Sequence, residues 1–129
     1  MAHQFHKHYT RAEARGLLPE IRRWFAQLAE RRRELDKQEK QLQELMAPGR
    51  DIGGPLVNSW IRTMVEVQKV LLEFYRREIQ IKDLERGLID FPCLMDGKEV
   101  FLCWEKSEPD IGFWHDLESG YAGREKLED

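Results

Sequence analysis

Two prolines and three glycines fall within the eight residues from Pro48 to Pro55, between two long stretches of helix-forming sequence. No helix runs through Pro48, Gly49, Gly53, Gly54 and Pro55, because proline removes an amide donor and glycine loses the most backbone entropy on ordering. The chain must reverse there, so it builds from two separate helices. Before the break, Thr10 and Glu13 make a capping box, in which hydroxyl and carboxylate each satisfy an amide left unpaired at a helix start. Ala14, Ile21, Leu28, Leu35 and Leu42 then recur every seven residues, with Leu17, Trp24 and Leu45 on a neighbouring stripe, the spacing of a supercoiled seam. This predicts helix one over 10–47, with Pro19 imposing either a kink or a start nearer Leu18.

After the break, Val57, Trp60, Ile61, Met64, Val65, Gln68, Leu71, Leu72, Phe74 and Tyr75 form a broad, mainly apolar face and predict helix two over 55–86. Thirty residues at 1.5 Å each give an antiparallel hairpin about 45 Å long. Its apolar faces do not match. The charged half of helix one, where Leu35 and Leu42 stand nearly alone, lies opposite Leu56, Val57, Trp60, Ile61, Met64 and Val65. The excess is covered either by the C-terminal segment or by a second copy of the chain. A hairpin of this length outreaches a small sheet, so a homo-oligomer through the helical hairpin is expected.

Beyond Gly87 the hydrophobic period changes to two. Leu88 to Met95, the Asp96-Gly97 turn and Lys98 to Glu105 predict a β-hairpin, since Asp-Gly readily takes the positive φ angles of a two-residue turn. Such a turn places Ile89, Phe91, Cys93, Met95, Val100, Leu102 and Trp104 on one face. Asp90, Pro92, Leu94, Glu99, Phe101, Cys103 and Glu105 lie on the other, with Asp90 opposite Cys103. Pro92 marks an edge or an irregularity. After the Ser107-Glu108-Pro109-Asp110 bend, Ile111 to Asp116 is a candidate third strand, and Lys126 to Asp129 is expected as a loose tail. The predicted fold is therefore α+β, a single domain over 1–129. It consists of a long antiparallel helical hairpin and a small antiparallel β-meander of two to three strands within 87–124.

Composition narrows the function classes. The apolar stretches are shorter than the roughly 18 residues needed to cross a bilayer, and Met1 to His8 lacks the apolar run of a signal peptide, so a cytoplasmic protein without membrane association is expected. Cys93 and Cys103 have no CxxC spacing and project from opposite faces of the hairpin, which predicts free thiols. Arg22-Arg23 and Arg31-Arg32-Arg33 spread around a helix among acidic neighbours, so no nucleic acid partner is expected. Residues 87 to 129 carry four Lys/Arg against eleven Asp/Glu, making the C-terminal end acidic.

That acidic end is also aromatic and glycine-rich, a composition too polar for a core. Trp104, Glu108, Asp110, Trp114, His115, Asp116, Tyr121 and Arg124 form a candidate recognition surface. His115, Asp116 and Glu118, joined by Asp90 and Cys103 from the adjoining hairpin, supply the donors of a zinc- or iron-type shell for a divalent metal. Two facts weigh against it: His115 and Asp116 point to opposite sides of a strand, and a histidine among aromatics is more often a packing residue. Cys103 as nucleophile with His115 as base has no fixed geometry, and an apolar strand raises the pKa of a thiol. His3, His6 and His8 offer fortuitous metal ligands on an expectedly disordered terminus. No glycine-rich phosphate loop, HExxH or GxSxG occurs.

Specific sequence runs carry a resemblance. Leu84-Glu85-Arg86-Gly87-Leu88-Ile89-Asp90-Phe91-Pro92, Val100-Phe101-Leu102-Cys103-Trp104, Glu108-Pro109-Asp110-Ile111-Gly112-Phe113-Trp114-His115-Asp116 and Gly120-Tyr121-Ala122-Gly123-Arg124 resemble the bacterial family called domain of unknown function 2203. The likeness extends from Tyr9-Thr10 and Leu17-Leu18-Pro19 over nearly the whole chain. It implies no activity and supplies no catalytic roles. The expected function is thus assembly or partner recognition by a homo-oligomer through its acidic-aromatic surface. The competing expectation is a metalloprotein or metal-dependent enzyme centred on His115.

Overall fold

The computed structural model describes residues 2–46 and 54–128. They divide into two compact units, one comprising Met1–Arg22 with Phe74–Asp129 and the other Arg23–Glu73. Helix α1 spans Arg11–Leu45 and α2 spans Gly54–Arg76. Strands β1 (Gln80–Asp83), β2 (Leu88–Met95), β3 (Lys98–Trp104), β4 (Phe113–Asp116) and β5 (Glu125–Lys126) follow, with a 3-10 turn at Tyr121–Gly123. The sheet is antiparallel throughout, in the order β1-β2-β3-β4-β5.

Helix α1 begins at its capping box: the Thr10 amide donates to Glu13 Oε1 at 2.9 Å and the Glu13 amide to Thr10 Oγ1 at 3.1 Å. The helix continues through Pro19 rather than starting after it. In the Arg23–Glu73 unit, Arg31 Nε meets Glu66 Oε2 at 2.6 Å, two positions nearly equidistant from the break. The reversal expected at Pro48 to Gly53 lies outside the described residues. Gly54 and Pro55 open α2, where the missing proline amide costs nothing because first-turn amides have no helical partner anyway.

Four expectations need correction. Helix two stops at Arg76 rather than 86, and the sheet has five strands rather than two to three. One structural device explains the early stop. The Ile79 amide reaches back to the Phe74 carbonyl at 3.0 Å and the Glu78 amide to that of Tyr75 at 3.0 Å, while Glu78 adopts φ 58°. This is a Schellman stop, with Phe74 and Ile79 as its buried apolar pair. It commonly uses glycine, so the sequence gives no sign of it. The residues freed from the helix form β1, which pairs Gln80 with Asp90 and Ile81 with Ile89. At the other edge β5, which takes in Lys126 of the expected loose tail, pairs Trp114 with Glu125 and Phe113 with Lys126. The strand expected from Ile111 starts at Phe113.

The β2–β3 register is the one predicted, including Asp90 opposite Cys103 and Ile89 opposite Trp104. Asp96 (φ 52°) and Gly97 (φ 79°) turn it with both central residues at positive φ. Ile89, Phe91, Val100, Leu102 and Trp104 are buried, as are Tyr9, Leu18, Ile21 and Phe74 of the same unit. Tyr9 meets Phe91 edge-on at 5.3 Å, and its amide donates to the Pro92 carbonyl at 2.7 Å. With this apolar face closed, the functional groups gather on the opposite face.

Candidate metal centre

Alternation along three neighbouring strands places Asp90 (β2), Cys103 (β3) and His115 (β4) on one face. Asp90 pairs with Cys103, and His115 pairs with Phe101, two residues along the same strand. One ligand atom from each of the three lies within 4.8 Å of the other two. All three side chains are buried, with residue exposures of 2, 1 and 3% for Asp90, Cys103 and His115. They line a cavity of about 270 Å³ whose wall also includes Lys82, Phe101, Leu117 and Tyr121.

His115 is held at both ring nitrogens. Nδ1 lies 2.8 Å from the Asp116 carbonyl oxygen, which only accepts, so Nδ1 carries a proton. Nε2 lies 3.0 Å from Asp90 Oδ1, and a single proton shared across that contact satisfies both groups. A backbone carbonyl fixing Nδ1–H and aiming Nε2 at the other donors is the usual arrangement around a metal-binding histidine. Burial pushes the Asp90 carboxyl up, and His115 and then Lys82 pull it back. The Cys103 thiol is pushed up to about 12, first by burial and then by Asp90, with the Arg124 guanidinium opposing. Arg124 Nη1 stands 4.0 Å from Cys103 Sγ. A divalent ion bound here would deprotonate the thiol directly and take the place of the Asp90–His115 proton.

The other two expected ligands stand outside this donor cluster. Asp116 Oδ1 accepts the amides of Glu118 (3.2 Å) and Ser119 (2.8 Å), and the Ser119 hydroxyl, followed by these amides, holds its carboxyl below the usual range. Glu118 is exposed on the cavity rim. Lys82 and Phe101 also line the cavity: Lys82 falls within the range expected for helix two, and Phe101 shares the expected Asp90–Cys103 face, where alternation alone assigns it no role.

The proposed recognition residues are largely engaged in internal fastening. Trp104 is fully buried, donates its indole N–H to the Glu108 carbonyl at 3.0 Å and lies 5.0 Å beneath the Arg22 guanidinium. Arg124 makes a bidentate pair with Glu108 at 3.1 and 2.8 Å and stacks on Phe113 (3.7 Å) and Tyr121 (4.2 Å). Arg15 grips Asp110 at 2.8 and 2.9 Å. Trp114 and Asp116 are half-buried, and Tyr121 is exposed with Arg86 on its ring at 4.3 Å. Among the described residues no helix is long and apolar enough to cross a membrane.

Residues 7–127 match the model of a family described as "Uncharacterized conserved protein (DUF2203)". Neither the curated proteins nor the solved structures contain a match to the chain.

Proposed function

The chain belongs to this uncharacterised family, so its own chemistry must carry the assignment, and we propose that it binds a divalent metal through Asp90, Cys103 and His115. The observation behind the reading is the convergence of three different donor atoms within 4.8 Å, buried and bordering a cavity. Three protein ligands beside free space match the open class of zinc site, in which the fourth position takes water or a small ligand. Thiolate favours zinc over non-haem iron, which is typically held by two histidines and a carboxylate. Carboxylate and thiolate together cancel the charge of a divalent ion. Lys82 on the wall favours an anionic ligand at the open position.

Elemental analysis of tag-free protein purified without chelator tests this reading. About one zinc per chain is expected, lost in both His115→Ala and Cys103→Ser. Cobalt-loaded protein should show a thiolate charge-transfer band that disappears in Cys103→Ser. Metal-free protein that gains no stability from added zinc would leave Asp90 and His115 as a packing pair only.

A second reading, self-association through the helical hairpin, draws support from α2. Ile61, Val65 and Leu72 follow the alternating four- and three-residue spacing of a helix seam, interrupted only by Gln68, and all three are exposed. The exposures of Ile61, Val65 and Leu72 are 47, 42 and 43%. A second copy of the chain would cover them. Buried free thiols at Cys93 and Cys103 fit a cytoplasmic setting for either reading.

A further inference from the structure

The segment before α1 is tied down by two carboxylates. Glu99, near the start of β3, accepts the amides of Gln4 (2.6 Å) and Phe5 (3.0 Å). Glu78, at the end of α2, accepts those of His6 (2.9 Å) and Lys7 (2.7 Å). Four consecutive amides are thus satisfied by side chains, an unusual way to order a terminus that a strand would normally pair. Its consequence is the placement of two histidines. His8 Nε2 lies 2.8 Å from Glu99 Oε2, His3 Nδ1 lies 4.0 Å from Oε1, and the two rings meet edge to face at 5.2 Å. His6, between them in sequence, is outside this group.

We propose that His3, His8 and Glu99 form a second divalent-metal site, which pins the N-terminal segment to the sheet. Their donor atoms lie within 4.8 Å of one another, the first criterion for a shared ion. Glu99 is held in place by the Gln4 and Phe5 amides, so the carboxylate is oriented before any ion arrives. Two imidazoles and a carboxylate suit zinc, nickel or copper. His3 is about half exposed, which leaves room for water to complete the shell and makes this the weaker, exchangeable site.

The location gives the second ion a consequence for the first. Phe5, inside the pinned segment, packs edge-on against Phe101 at 5.4 Å, and Phe101 lies 5.5 Å from the His115 ring. Fixing residues 3–8 therefore fixes the aromatic that borders the cavity and touches a ligand of the buried centre. An ion at His3, His8 and Glu99 acts as a fastener on that wall.

Zinc titration followed by calorimetry, with protease digestion of the N-terminal segment as second readout, tests the site in wild type, His3→Ala/His8→Ala and Cys103→Ser. Two zinc ions per wild-type chain are expected. The double histidine variant should keep the tight one and lose the weaker by more than about a hundredfold in affinity. Cys103→Ser should keep the weaker one. In wild type and Cys103→Ser, zinc should slow cleavage before Tyr9; in the double histidine variant it should not. Should Cys103→Ser fail to fold, wild type against the double histidine variant still decides the matter. A zinc stoichiometry and cleavage rate unchanged by loss of both histidines would overturn the second site and leave the first untouched. A single zinc lost only with His3 and His8 would support this site and overturn the buried one.

Discussion

At the scale of single residues, burial separates groups that look alike in sequence. Arg15–Asp110 and Arg124–Glu108 are both bidentate pairs, but the first is about half exposed and the second only 13 and 15% exposed. Solvent screens the first pair, so Arg15→Ala should cost roughly 0.5 kcal/mol. Arg124→Ala strands a partly buried carboxylate and strips two aromatic faces, and should cost about 2 kcal/mol. Urea midpoints on the two variants test the ordering; equal losses would mean that burial is not the deciding variable. The thiols follow the same logic. Desolvation raises both Cys93 and Cys103, the latter to about 12, so neither should react with a disulfide reagent at pH 8 in the folded, metal-free protein. Both should react on unfolding in guanidinium, and rapid labelling of native protein would contradict the buried placement.

At the scale of elements, legibility in the sequence depended on whether the stop signal was a residue type or a conformation. Asp96-Gly97 announces its turn chemically, and the strand register that followed placed Asp90 opposite Cys103 correctly. The end of α2 announces nothing, because a glutamate occupies the left-handed position that glycine usually fills. The carboxylate of Glu78 gains the His6 and Lys7 amides there, an advantage visible only once distant segments are brought together. Losing that signal hid β1, and with it Lys82 of the cavity wall. The same limit applied to the candidate ligands: strand alternation separated His115 from Asp116, but only the pairing of β3 with β4 decided which of them joins Cys103. Glycine positions give a direct check. Gly97→Ala meets open space and only the strain of positive φ, about 1 kcal/mol; Gly87→Ala adds contact with the Lys106 side chain at 2.9 Å and should cost more. Thermal melts that rank them oppositely would show that Lys106 yields freely. Helix α1 carries an acid dependence of its own. Glu13 is lowered by the Thr10 amide and hydroxyl, so its folded pKa lies below the unfolded one. Its stabilisation is complete above about pH 5 and is lost as the pH falls through the lowered value. The stability gap between wild type and Glu13→Gln should therefore be widest near neutrality and shrink in acid. A gap that persists at pH 2 would assign the effect to side-chain shape rather than charge.

At the scale of the whole molecule, exposed apolar surface on α2 and the buried donor cluster make separate demands. The stripe Ile61, Val65 and Leu72 leaves solvent-facing area that one chain does not cover within the described residues. Burying it against a copy would contribute about 25 cal/mol per Å² of apolar surface, less the cost of bringing two chains together. A weak to moderate dimer is the scale of association such a stripe supports, with its population set by protein concentration. Light scattering across the micromolar range should therefore show mass rising from the 15.4 kDa of one chain toward twice that value. Val65→Glu combined with Leu72→Glu places charges within the seam and should hold the protein at one chain throughout. Because neither substitution touches Asp90, Cys103 or His115, zinc bound per chain should remain the same in that variant. Loss of zinc together with loss of mass would mean that the centre is completed only by assembly, whereas wild-type protein that stays at one chain at every concentration would remove the seam as an interface.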